Sequence, residues 1–469
     1  MNLRSMVTGV WLFSALLLPA QTFQTIYHFS GPSGPYAEGQ LLLIGNTLYG
    51  TTDSGGTWDA GTVFKVNTNG GGYAVLKSFT NTDVLFHTNT DGANPDTGVV
   101  LCTNRLIGTT FFGGYKARGT VFSMNTNGSD FVVLSHFNRT NGQNPFISLT
   151  LAGNVFYGAA SGGTSNLGVI FRFTTDGTGF SNVKNFVATN GSFPYGGVTV
   201  DGATLYGSTQ SGGDFNLGTL YSLDTSGGSF ITLKSFAPGD GAYPRYKMIL
   251  IGNALYGVTF GSGVATNSVI FRINTDGTGF TVIKRFSPAD SLTGTNTDGW
   301  LVSGGLALWH GVLYGATQWG GYYDAGVVFK INPDGTGYAV LKHFPGSLGI
   351  KNGLNWNYDG MSPLSEPTVT NGVFYGTTAA GGFYGCGTIY SVTLPPPPPL
   401  QITNSAGQPV IFWSDDQLNR TLRTTTDLAS GNWTNTVTLN WTNAASNPQQ
   451  IGYRLPDAPN PAGAFFRLQ

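Results

Sequence analysis

Charge is scarce in this chain. Only 10% of its 469 residues are charged, and 22 Lys+Arg against 23 Asp+Glu leave a formal net charge of −1. Without a basic stripe to displace counterions, nucleic acid and anionic membrane surfaces are excluded as partners. Cysteine is nearly absent, with Cys102 and Cys386 alone, too few for a disulfide framework. No apolar run of 18 residues follows the N-terminal segment, so no transmembrane helix is expected. Helix-length periodicity is missing there too. Nucleophile elbows, phosphate loops and dinucleotide fingerprints do not occur, and no cofactor is expected. The five histidines include His28, His136 and His343 at one repeated position, which disperses them and forms no metal cluster.

What the chain has instead is glycine, 70 residues of it, and a repeat. A Leu/Phe-Tyr-Gly-like run returns seven times, with its second residue at Tyr49, Ile107, Tyr157, Tyr206, Tyr256, Tyr314 and Tyr375. A second aromatic follows about 15 residues later: Phe64, Phe122, Phe171, Tyr221, Phe271, Phe329 and Tyr390. A third follows after a similar interval: Phe79, Phe137, Phe186, Phe236, Phe286 and Phe344. The seventh unit lacks this third member, while an unmatched Phe29 stands near the N-terminus.

Around each anchor, short alternating apolar and polar runs are separated by Gly, Asn and Asp turns, the pattern of antiparallel strands. The first unit reads as strands 41–44, 47–52, 62–66 and 73–79, here called a to d. Four strands per repeat indicate propeller blades. Residues 24–29 are expected to supply the missing outer strand of blade seven and leave no sheet edge open. The fold class is therefore all-β, a seven-bladed β-propeller closed by its N-terminal strand, plus a small C-terminal β-sandwich-like domain. The three aromatic classes are assigned to the core. The glycine after each anchor is assigned to close backbone approach where the inner strands converge on the axis.

Residues 1–20 read as an export signal, with Arg4, the apolar Met6 to Leu18 and Leu18-Pro19-Ala20 as cleavage site. The propeller takes 21–394, a polyproline linker 395–399 and the small β-domain 400–469. The mature protein is expected to be secreted or held at the cell surface, as a monomer. Cys102 and Cys386 fall on opposite rims, about 15 Å apart for a five-residue strand, so two free thiols are predicted.

The unit Leu48-Tyr49-Gly50-Thr51-Thr52, with Ser54-Gly55-Gly56, Gly61-Thr62-Val63-Phe64-Lys65-Val66-Asn67 and Val75-Leu76-Lys77-Ser78-Phe79, resembles the GloVer tandem repeat of secreted bacterial proteins over roughly 22–394. Less closely, it is similar to the kelch repeat. The stretch 422–428, Trp433 and Phe465-Phe466-Arg467-Leu468 looks like a β-module that ends many secreted bacterial proteins. These resemblances imply a propeller and no established activity.

The d–a and b–c loops are expected on one face. The interval from strand-d Phe to the next anchor is 20 residues in four units, but 28 into blades 2 and 6 and 31 into blade 7. This sector is rich in loop aromatics: Trp58, Tyr115, Trp300, Trp319, Tyr322, Tyr323, Trp356, Tyr358, Phe383 and Tyr384. An aromatic rim on a nearly uncharged protein suits a polysaccharide or cell-surface glycan, with Trp319 and Trp356 expected as its most exposed members. The alternative partner is another protein, and the bland reading is that these rings pin their own loops.

No catalytic residue and no metal ligand are assigned. Asp176 and Asp276 lack the alternating carboxylates of a calcium loop. Asp91, Asn141, Asn190, Asp240, Asp298 and Asp359 precede Gly at strand-a entrances and read as Asx-turns. A third function class, a propeller hydrolase or lyase, would need Glu38, Asp96 and Glu366 to meet over the central channel.

Overall fold

The computed structural model describes residues 22–395 apart from 32–35, 84, 262–267, 289, 291–294 and 352, together with the backbone of strands between 401 and 468. The expected export signal at 1–20 and most of the 395–399 linker lie outside the described residues. No α-helix occurs among the described residues, and seven antiparallel sheets form a propeller. Blade 1 pairs Leu42–Ile44, Thr47–Thr52, Thr62–Asn67 and Ala74–Ser78 in that order. The a-b-c-d order recurs around the ring, and in blade 7 the outer strand is Phe23–His28, antiparallel to Thr388–Thr393. The closure expected from the unmatched Phe29 is thus present. Beyond the propeller, the strands pair into a four-stranded and a three-stranded sheet.

Each seam between blades repeats one contact. The strand-d Phe of one blade meets the strand-c ring of the next edge-on: Phe79 on Phe122 at 5.4 Å, Phe236 on Phe271 at 5.4 Å, Phe344 on Tyr390 at 5.0 Å. Phe29 on Phe64, at 5.4 Å and 73°, closes the circle with the same geometry. Every strand-d Phe is fully buried, worth about 1.5–3 kcal/mol each from area alone, plus roughly 0.5–1.5 kcal/mol for the edge-to-face pair. A second layer lies outside it, where strand-d lysines cover the aromatic that opens the next strand d: Lys77 over Phe131, Lys234 over Phe280, Lys284 over Tyr338. At the closure Lys342 lies 4.0 Å over Phe23, and Tyr27 stacks on Tyr73 at 4.1 Å.

The same lysines revise the reading of the aspartates before Gly. Asp91 does cap the Thr80 backbone N–H, but it also ion-pairs Lys77 at 2.6 Å. Lys234–Asp240, Lys284–Asp298 and Lys342–Asp359 repeat the pair. Where Asn stands instead, only the turn remains: Asn141 accepts from the Asn138 N–H and Asn190 from the Val187 N–H.

The anchor glycine also has a different cause from the one expected. Gly158 pairs in register with Phe171 on the neighbouring strand, and a Cβ there would sit 2.4 Å from Phe171 Cζ. The strand-c ring lies flat across the glycine of its own sheet, so the close approach is an intra-blade ring contact rather than convergence on the axis. Both thiols are free and buried, as predicted.

Candidate functional site

The aromatic rim assembles only in pieces. Tyr322 and Tyr323 are exposed, Tyr322 stacked at 3.9 Å on His343. Tyr115 does the same on His136 at 4.1 Å, and Trp58 is exposed in blade 1. Trp300 is not in a loop: it lies in the long strand Asn296–Trp309, in register with Trp319, and donates its indole N–H to Asp324. Trp319 and Trp356 are half-buried rather than the most exposed members. The long loop into blade 7 forms a hairpin, Gly349–Lys351 with Leu354–Trp356, that sets Trp356 edge-on to Tyr358 and Phe383. Lys351 lies 3.6 Å over Phe383 and also faces Tyr384. These rings meet at 72–88°, which pins the hairpin and offers no coplanar row.

The concave site lies elsewhere. One cavity of about 470 Å³ is lined by residues of all seven blades, among them Glu38, Asp96, Phe146, Tyr195, Arg245, Gln318 and Glu366; only the propeller axis touches every blade. It opens on the loop face that carries the rim, because its residues stand at strand-a entrances and strand-b exits. Its key positions follow the repeat. Eleven residues before the seven anchors stand Glu38, Asp96, Phe146, Tyr195, Arg245, Ser303 and Leu364. Four residues after them stand Asp53, Phe111, Ser161, Gln210, Phe260, Gln318 and Ala379; all of the first set but Ser303, and Phe111, Phe260 and Gln318 of the second, line the cavity. Whereas the three aromatic classes recur in nearly every blade, these positions differ from blade to blade.

The local backbone explains how these side chains reach the axis. Two residues before the cavity position, Asn94, Asn144, Phe193, Tyr243, Leu301 and Ser362 all take φ between +49° and +60°, a left-handed conformation unusual outside glycine. Asn94, Phe193 and Tyr243 donate their N–H groups to carbonyls of the preceding blade's b–c loop, at Ala60, Leu167 and Leu217. In blades 2 to 5 and 7 a proline follows, and the chain then turns inward. This is strain held in place by neighbours at one repeated position.

Chemically the cavity has two sides. Blades 3 to 5 supply an aromatic wall: Phe146 packs on Tyr195 at 3.8 Å, and the Arg245 guanidinium lies over Phe260 at 4.5 Å and Tyr195 at 5.3 Å. Blades 7, 1 and 2 supply acids. The carboxylates Glu38, Asp96 and Glu366, far apart in sequence, do line one cavity. Burial holds the Asp96 carboxyl well above the ordinary range, and Asp53 and Glu38 push it further by repulsion. Glu38 and Asp53 are raised too, first by burial, and then Glu38 by Asp53 and Asp53 by Asp59. Glu366 is raised by burial and opposed by Lys247, whose own ammonium is lowered by burial and supported by Glu366. No group of His, Cys, Asp and Glu fit to hold a metal ion occurs among the described residues.

Of these residues, sequence reasoning reached Glu38, Asp96 and Glu366 but missed Asp53, Arg245 and the wall of Phe146, Tyr195 and Phe260. The signal was present: a variable residue at fixed distance from the anchor, in five blades directly after proline.

The model of the Gloeobacter/Verrucomicrobia repeat matches residues 80–267 and 251–395. No curated protein matches the chain. Among solved structures, the chain is similar to an oligogalacturonate lyase from Vibrio parahaemolyticus, with 11% identity, TM-score 0.48, and coverage of 80% of this chain and 97% of that one. It is similar also to a putative 6-phosphogluconolactonase from Bacteroides uniformis, with 17% identity, TM-score 0.44, and coverage of 71% and 88%. A nidogen/laminin complex chain matches at 14% identity, TM-score 0.37, and coverage of 55% and 81%.

Proposed function

We propose, for a chain that belongs to the Gloeobacter/Verrucomicrobia repeat family, that it is an exported, monomeric propeller that binds a glycan in its axial cavity. The observation that carries this reading is the two-sided cavity of about 470 Å³, within the usual range for small-ligand sites. A sugar ring presents an apolar C–H face, which suits the wall of Phe146, Tyr195 and Phe260, and hydroxyls, which suit Glu38, Asp96 and Gln318. The exposed rim aromatics, Tyr322 and Tyr323 foremost, lie on the same face and extend the contact for a polymer. Export rests on Arg4 and the apolar stretch after it; sequencing the mature N-terminus tests it, with Gln21 as the expected first residue and an intact Met1 overturning it.

The test is a glycan-array profile of the purified protein beside Tyr195→Ala/Phe260→Ala and Tyr322→Ala/Tyr323→Ala. Selective binding abolished in the first variant and weakened in the second supports the reading. A blank array overturns it and leaves a protein partner as the better candidate. A hydrolase reading has its own observation: burial holds the Asp96 carboxyl well above the ordinary aspartate range, the direction a general acid needs. Release of reducing ends from a bound glycan, lost in Asp96→Asn, would make the protein a hydrolase.

A further inference from the structure

The acids of blades 1 and 2 lack a counter-ion. Glu38, Asp53 and Asp96 form no ion pair with any lysine or arginine among the described residues, unlike the four strand-d aspartates. Asp96 lines the cavity, yet its Oδ1 is fully enclosed and accepts no hydrogen bond. A buried carboxyl oxygen without a donor is a costly arrangement unless something else supplies one.

We infer that this side of the cavity takes a primary ammonium carried on a sugar ring, so that the ligand is an amino sugar, with Asp96 and Glu38 as its acceptors. This rests on the glycan reading above and narrows it. The ammonium supplies the positive charge that these acids lack. Its ring then faces Phe111 and Phe146, beside these acids on blades 2 and 3. The remaining charged groups of the cavity fix the orientation: Arg245 is held over Tyr195 and Phe260, Lys247 is offset by Glu366, and Tyr246 stays neutral, pushed up chiefly by burial. An ammonium is therefore repelled from the blade 5 side and drawn to blades 1 and 2. Burial raises these carboxyls and a bound ammonium lowers them again, so binding releases protons to solvent.

The test titrates a β-1,4-linked glucosamine trimer and its N-acetylated counterpart into the full-length protein by calorimetry. The expected result is that the free-amine trimer binds about tenfold or more tightly at about pH 6, as charged hydrogen bonds require. The preference should shrink as pH falls through the carboxyl titration, and Asp96→Asn should erase it. If a thermal melt shows that variant to be misfolded, Glu38→Gln carries the same test. Equal binding of both trimers, or a preference intact in the variants, overturns the ammonium while the glycan reading stands. The same holds if neither trimer binds but another glycan does. If every glycan fails, both readings fall together.

Discussion

Replacing Phe29 with Ala removes one ring from the closing seam, and its effect is calculable from the other seams. Phe29 is fully buried and meets Phe64 edge-on at 5.4 Å; Phe236 is fully buried and meets Phe271 edge-on at 5.4 Å. Truncating a buried Phe costs about 3–5 kcal/mol in lost transfer energy and cavity formation. A propeller of roughly 370 residues has an unfolding entropy of about 0.8 kcal/mol/K, so that loss corresponds to about 4–6 °C in Tm. Phe29→Ala and Phe236→Ala should therefore lower the calorimetric Tm by the same amount, although one residue follows an internal strand, Ile231–Ser235, and the other lies near a chain terminus. Chain connectivity predicts otherwise, since a terminal strand is ordinarily free to fray. A drop below about 1 °C for Phe29→Ala, beside several degrees for Phe236→Ala, would refute the argument that the ring is evenly sealed.

Three further outcomes follow from the same structure. Gly158→Ala places a Cβ 2.4 Å from Phe171 Cζ and should destabilise by about 1–3 kcal/mol through overpacking; adding Phe171→Leu should recover part of that loss in urea unfolding, whereas independent effects would simply add. Asp96 binds its proton more tightly when folded than when unfolded, so wild-type stability falls as pH rises from the unfolded carboxyl range, about 3.9, through the folded one. Asp96→Asn should thus raise Tm at neutral pH and leave it nearly unchanged at about pH 3; a lower Tm at pH 7 would contradict the unpaired-acid reading. Cys102 and Cys386 are buried, and burial pushes the Cys386 thiol up, so neither should react with a thiol reagent until the protein unfolds, when two equivalents should appear.

The blades were legible because their determinants are local and repeated. Tyr49, Phe64 and Phe79 recur at fixed spacing, and their burial is decided by strand alternation within one unit. Phe29 was legible for the opposite reason, as the one member of the set without a unit. The cavity was harder to read because it is assembled from one or two residues per blade, separated by about fifty positions. Glu38, Asp96 and Glu366 stood out as acids in a nearly uncharged chain, whereas Phe146, Tyr195 and Phe260 were masked by the many aromatics that serve the core. The rim was overestimated for a related reason: composition reports that Trp319 and Trp356 fall near loops, but not that Trp319 lies in a strand in register with Trp300 or that Trp356 packs edge-on against Tyr358 and Phe383.

The left-handed turn found in blades 2 to 7 separates two tasks that most binding sites entangle. The seams, the ion pairs and the glycine contacts hold the ring together without touching the axis, while in six blades the residue eleven places before the anchor lines the axial cavity; in blade 6 that residue, Ser303, instead donates to Pro363 of blade 7. In five blades, side chains of different chemistry are mounted in this way at equivalent positions, Asp96, Phe146, Tyr195, Arg245 and Leu364. A change of ligand would need no remodelling of loops, only the exchange of a single residue in one blade, or the replacement of that whole blade by a copy of another. Duplication of a repeat unit would act on this protein as a recombination of its specificity.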